Sequence, residues 1–64
     1  MKEVVDILMR RDGLSRTEAK STVEYAVELM QDAIMDGDYM QVEEIMYEEL
    51  GLEMDYAVGL LGFF

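Results

Sequence analysis

One stretch of the chain, from Ser15 to Gly37, carries both a helix start signal and a helix stop signal. Its first four residues, SRTE, fit the S-x-x-E capping box, in which the serine and glutamate side chains each accept a hydrogen bond from the other residue's backbone N–H. Gly37 can adopt the left-handed conformation that closes a helix. The pattern therefore predicts one long helix over 16–36, around which the rest of this 64-residue chain must be organised.

The apolar residues of this helix recur at three- and four-residue steps, which is the spacing of one helix face. That face consists of Ala19, Val23, Ala26, Val27, Met30, Ala33 and Ile34. Thr22, Tyr25 and Leu29 widen it to an arc of roughly 200° at ~100° per residue. One neighbouring helix cannot cover so wide an arc, so we expect packing on two sides, by flanking helices or by a second copy of the chain.

Three further helices are predicted, at about 2–10, 39–50 and 54–62, and glycines mark the junctions between helices. In the third helix we expect Tyr39, Val42, Ile45, Met46 and Leu50 to face the core, and we expect Glu53 or Asp55 to cap the last helix. The prediction is an all-α fold: a single domain over 1–64 forming a small three-to-four-helix bundle with short glycine-containing turns. A dimer is one way to complete it, because a chain this short is marginally stable alone.

Charge is distributed unevenly along the chain. The net charge is −10, all five basic residues lie within the first 20 residues, and residues 21–64 hold 11 acids and no base. Such a surface repels nucleic acid and anionic membranes and attracts basic protein surfaces. We therefore expect no direct binding to nucleic acid and no membrane association. No apolar run approaches the ~20 residues of a membrane span and no signal-peptide pattern is present, so we expect a cytoplasmic protein that begins at Met1.

The residues for catalysis are mostly absent. There is no Cys and no His, and an activated nucleophile usually needs a neighbouring base. Ser15 is explained more simply as a helix cap. The sequence Asp36-Gly37-Asp38 with Glu43 and Glu44 downstream lacks the D-x-[DN]-x-[DN]-G pattern of a calcium loop. We expect no enzymatic activity, no cofactor and no metal site.

Two candidate interaction surfaces remain. The first is acidic and consists of carboxylates that follow one another at i, i+4 steps, about 6 Å apart along the helix axis. Like charges at this spacing destabilise a helix by a few tenths of a kcal/mol per pair. Its members are Glu24, Glu28, Asp32, Glu44 and Glu48. The second is apolar: Tyr25, Leu29, Met35, Met40, Tyr47, Phe63 and Phe64. The two terminal phenylalanines can instead close the core, and a membrane contact is the third alternative.

The basic pair Arg10-Arg11 lies at the C-terminal end of the first helix. It can face solvent at the helix end, where positive charge is favourable. It can instead be an internal partner for the acidic half of the chain, which would set how two copies orient.

The stretches DGLSRTEA and GDYMQVEEIMYEELGLEMDY resemble a group of short acidic helical proteins of unknown function encoded by bacteriophages and prophages. The resemblance implies a phage protein working in the cytoplasm of a bacterial host. Small acidic phage proteins include inhibitors of host nucleases and other defence enzymes, some of which imitate DNA. The leading hypothesis is a non-catalytic interaction module that occupies a basic, nucleic-acid-binding surface of a host enzyme. The alternative is a homo-oligomeric structural or assembly protein whose acidic faces only confer solubility.

Overall fold

A computed structural model describes residues 1–62, and within them the chain forms helices joined by short turns, with no β-strand. Helix α1 spans Lys2–Asp12, α2 Arg16–Met35, α3 Tyr39–Ile45 and α4 Asp55–Leu61, and a π-helical segment, Met46–Leu50, continues α3 directly. The Cα radius of gyration, 11.1 Å, is close to the roughly 11 Å of a compact chain of this length. The predicted all-helical character is confirmed.

Helix α2 begins and ends as its sequence predicts. The backbone N–H of Glu18 donates to Ser15 Oγ at 3.1 Å, and the backbone N–H of Ser15 donates to Glu18 Oε1 at 2.9 Å. At the other end Gly37 has φ +75°. Its N–H donates to the Ile34 carbonyl at 3.0 Å, and the next N–H, of Asp38, donates to the Ala33 carbonyl at 2.9 Å. These two bonds close the helix as a Schellman motif.

Helix α2 is the central element, because it packs against α1, α3, the π segment and α4. Its buried side chains are Ala19, Val23, Ala26, Met30 and Ala33, which lie at three- and four-residue steps. The other buried side chains are all apolar: Val4, Val5, Leu8, Val42, Ile45, Met46, Leu50 and Ala57. The flanking helices therefore cover the centre of the apolar arc of α2.

The edges of that arc are less covered than the sequence predicts. Val27, Leu29 and Ile34 are only half-buried, and Tyr25 is 55% exposed. In α3 the side chain of Tyr39 is 56% exposed, so its predicted place in the core is wrong. It stands at the first position of α3, directly after the N-cap Asp38.

The cap of the last helix also differs from the prediction. Met54 is the N-cap of α4, and no side chain caps it, so neither Glu53 nor Asp55 does. Backbone groups make the first turn instead: the N–H of Ala57 donates to the Met54 carbonyl at 2.9 Å, and that of Tyr56 donates to the Glu53 carbonyl at 3.2 Å. The predicted contacts of Phe63 and Phe64 lie outside the described residues.

The π segment explains how the third helix keeps its apolar face. In a continuous α-helix Glu49 would point within about 20° of the direction of Val42, while Leu50 would stand about 80° away. The observed burial is the reverse, since Leu50 is fully buried and Glu49 is exposed. A π turn closes its hydrogen bond one residue later than an α turn, which rotates Leu50 into the core. The regular helix predicted over 39–50 therefore contains one wider turn.

Arg11 ties the end of α1 to the end of the π segment. Its Nη1 donates to the Gly51 carbonyl at 3.3 Å, and its Nε and Nη2 donate to the two carboxylate oxygens of Asp12 at 2.9 and 2.8 Å. The hydrogen bonds from Arg11 hold the pKa of Asp12 below its usual value. Arg10 stays on α1, where Nε donates to the Asp6 carbonyl at 3.3 Å. Both arginines are exposed at the helix end, and Arg11 also binds within the chain.

Candidate functional site

A groove of about 550 Å³ lies on the face of α3 and the π segment that points away from the core. We call it the acidic groove. Five of its residues come from this helix and three from the connection to α4: Met40, Glu43, Glu44, Tyr47, Glu48, Leu52, Glu53 and Met54.

The sequence places these side chains together for two local reasons. Positions three, four, seven and eight residues after Met40 share its helix face. The chain then reverses at Gly51, which has φ +63°. Its N–H donates to the Tyr47 carbonyl at 2.9 Å, and the N–H of Leu52 donates to the Met46 carbonyl at 3.2 Å. Leu52 and Met54 are half-buried against the core, so the connection is held beside the helix and completes the lining of the groove.

The groove combines exposed apolar side chains with carboxylates. Met40 is 80% exposed and Tyr47 is 76% exposed. Four carboxylates line the same space, from Glu43, Glu44, Glu48 and Glu53, and no basic residue lines it. The ion pairs within residues 1–62 are Arg11 with Asp12 at 2.8 Å and Arg16 with Asp6 at 3.8 Å. Neither includes a groove carboxylate, so the negative charge of the groove is uncompensated.

The predicted acidic face is divided between two places. Glu44 and Glu48 line the acidic groove, whereas Glu24, Glu28 and Asp32 are exposed on α2 and do not line it. The sequence reasoning did not assign Glu43, Leu52, Glu53 and Met54 to this site. Glu43 could have been found from its three-residue step after Met40. The other three depend on the path of the connection, which no local pattern specifies.

The predicted apolar interface is divided as well. Met40 and Tyr47 line the acidic groove, while Met35, which is 85% exposed, and Tyr25 lie outside it. Leu29 is half-buried and packs against the core. Phe63 and Phe64 lie outside the described residues. Of the five predicted side chains within residues 1–62, the structure therefore brings Met40 and Tyr47 together, and it places both among carboxylates.

Across residues 1–62 no three acidic side chains converge as metal ligands would. No helix in that range has the length and apolar character needed to cross a membrane. Comparisons of the chain with protein-family models, with curated proteins and with solved structures give no match.

Proposed function

We propose that this chain is a non-catalytic interaction module whose acidic surface occupies a basic surface of another protein. The observation that carries the proposal is that the acidic side chains are exposed and unpaired. All eleven acidic residues after residue 20 are exposed, and none forms an ion pair with any residue in 1–62. Charges of one sign repel one another and destabilise a compact fold. Basic groups of a partner would offset that repulsion, and the free energy gained in this way would favour binding.

The charge density supports a nucleic-acid-binding surface as the target. A net charge of −10 along a longest dimension of 33 Å is one charge per about 3.3 Å. A single DNA strand carries one phosphate per roughly 3.4 Å of helix axis. Summed over all its faces, this protein therefore carries about the same linear charge as one DNA strand. The resemblance to phage and prophage proteins supplies the setting that we propose, an inhibitor of a host enzyme in the bacterial cytoplasm.

A pull-down from bacterial lysate tests the proposal. The tagged protein should capture a specific nucleic-acid-binding protein at ~0.05 M salt and release it at ~0.5 M salt, because screening shortens the range of charge interactions. A variant with Glu24→Gln, Glu28→Gln and Asp32→Asn should capture less, and so should Glu44→Gln with Glu48→Gln. Glu3→Gln, in the part of the chain that holds the basic residues, is the control. Equal capture by all variants would contradict the proposal.

A second candidate function rests on the exposed methionines. Met35 and Met40 are more than three-quarters exposed, and flexible methionines suit adaptable protein contacts. In this alternative the chain is a helical bundle that dimerises through apolar side chains, and the acids only confer solubility. Sedimentation equilibrium of the wild type and of Met35→Ser with Met40→Ser tests it. If the wild type has the mass of a dimer and the variant has the mass of a monomer, the result would favour a dimeric assembly protein over a module that binds a basic partner.

A further inference from the structure

We propose that the acidic groove binds one face of an amphipathic, Lys/Arg-rich helix of a partner protein. The inference rests on the proposed function and specifies its partner: a helix with apolar residues on one face and basic residues beside them. Three properties of the groove support it, namely its floor, its charge and its length.

The floor offers apolar contact area that the chain itself does not cover. Its apolar lining residues are Met40 and Tyr47, which present most of their side chains to solvent, and the half-buried Leu52 and Met54. A volume of about 550 Å³ is within the range of clefts that bury a drug-sized ligand, so it has room for more than one side chain. Unbranched methionines adapt to irregular partners. Apolar side chains of a partner would therefore gain contact area here.

The charge of the groove selects among apolar partners. Glu43, Glu44, Glu48 and Glu53 all line it without a basic neighbour in the lining. A neutral apolar helix would remove water from these carboxylates without giving them a partner, which is costly. A helix with Lys or Arg beside its apolar face would pair with them as it docks. Nucleic acid would be repelled. The complementary ligand is therefore both apolar and basic.

The length of the groove fits a helix. Met40 and Tyr47 are seven residues apart on one helix face, a rise of about 10 Å. The i to i+7 anchors of an incoming helix span the same distance, and such anchors are the usual contacts of a helix in a groove. Docking of an extended strand needs a free sheet edge, and residues 1–62 form no strand.

A second copy of this chain is the competing occupant. Lys2, Arg16 and Lys20 line a shallow cavity of about 270 Å³ together with Met1 and Val5, and this basic patch is complementary to the acidic groove in sign. The net charge of −10 on each copy opposes such docking, whereas it favours a basic helix from another protein. The external helix is therefore the occupant that we propose.

The test uses a fluorescein-labelled peptide of Leu and Lys, roughly four helical turns long, with the leucines on one face. A second peptide has the same composition in an order that scatters the leucines, and polylysine supplies charge alone. Binding of each to the full chain is measured by fluorescence anisotropy at ~0.05 M salt. We expect the amphipathic peptide to bind roughly tenfold more tightly than the scattered one.

Matched variants locate the binding site. Met40→Ser with Tyr47→Ser removes the exposed part of the floor, and Met35→Ser with Tyr25→Ser makes the same changes at exposed positions outside the groove. We expect the first pair to weaken binding of the amphipathic peptide by roughly tenfold or more. The second pair should leave it within about twofold of the wild type. Circular dichroism verifies that each variant is folded.

A charge pair completes the design. Glu44→Gln with Glu48→Gln lies in the groove, and Glu24→Gln with Glu28→Gln removes the same charge from α2. The groove pair should weaken peptide binding more than the α2 pair, because its carboxylates contact the bound helix directly.

The outcomes separate the two proposals. If polylysine and the amphipathic peptide bind equally, and the floor variant behaves like its control, the groove inference is overturned while the acidic module stands. If neither binds at low salt, both proposals fail. The third outcome is that the free chain has the mass of a dimer, that Met40→Ser with Tyr47→Ser has the mass of a monomer, and that no peptide binds. This result would assign the groove to a second copy of the chain and contradict the proposal of an external helix.

Discussion

Deletion of Glu49 should convert the π segment into an ordinary α turn with little loss of stability. Leu50 would then stand seven residues after Val42, about 20° from it at ~100° per residue. It would keep its place in the core, and with it the roughly 1.5–3 kcal/mol of a buried leucine. We expect the free energy of unfolding to change by no more than about 1 kcal/mol, because the deleted side chain is exposed.

Deletion of Glu28 is the matched control, since this glutamate is also exposed but lies in the regular helix α2. No wider turn is present there to absorb the missing residue. Met30 and everything after it would rotate by ~100° relative to Val23 and Ala26. The loss includes the buried Met30, roughly 1.5–3 kcal/mol, and the packing of α3 on α2. A chain of this length has a total stability of roughly 3–10 kcal/mol, so this variant should lose its cooperative transition.

Far-UV circular dichroism with urea and thermal unfolding measures both variants against the wild type. The expected result is a cooperative transition for the Glu49 deletion and a broad or absent one for the Glu28 deletion. If the two deletions destabilise the chain equally, the argument that the π turn exists to bury Leu50 is wrong.

Three other predictions concern caps and charge. The backbone N–H and the hydroxyl of Ser15 hold the pKa of Glu18 below its usual value near 4.5. Glu18→Ala should therefore be less stable than the wild type above that pH, and the difference should vanish as the pH falls through the lowered pKa. Gly51→Ala should lower the free energy of unfolding more than Gly37→Ala does, by up to about 1 kcal/mol. Both glycines have positive φ, but only at Gly51 does an added Cβ meet Arg11, at 3.1 Å from Nη1. Added salt should raise the melting temperature, because it screens the unpaired acids.

Each of these has an outcome that contradicts it. If the difference in stability between wild type and Glu18→Ala stays constant down to acidic pH, the ionised carboxylate of Glu18 does not contribute to the cap. In the background of Arg11→Ala, the two glycine variants should cost the same; a difference that persists there would assign it to another contact. A melting temperature that falls with added salt would mean that attractive charge pairs outweigh the repulsion among the acids.

The parts of the fold that the sequence predicts are those encoded within a few residues. The capping box of Ser15 and the glycine closures at Gly37 and Gly51 depend on local backbone geometry, and all three are observed. The core face of α2 is also periodic and therefore readable. What the sequence does not show depends on distant residues: the hydrogen bond from Arg11 to Gly51 joins positions 40 residues apart.

The candidate site follows the same division. Met40, Tyr47, Glu44 and Glu48 are recognisable as exposed positions from helix periodicity alone. Their assembly into a groove needs the connection through residues 51–54 to return beside the helix, and this direction is set by tertiary packing. The sequence does contain a sign of the π turn, because a regular helix would point the charged side chain of Glu49 toward the core. A wider turn keeps Glu49 exposed and buries Leu50 instead.

The separation of the two signs of charge has a kinetic consequence. Lys2, Arg16 and Lys20 gather around one cavity, while four glutamates gather around another. The two signs of charge therefore lie in separate places on the molecule, and the field of a positively charged surface would turn the acidic groove toward it during approach. Association should be fast and strongly slowed by salt. In the complex that we propose, short-range contacts would govern dissociation instead, so changes at Met40 or Tyr47 should alter residence time and leave the encounter rate nearly unchanged.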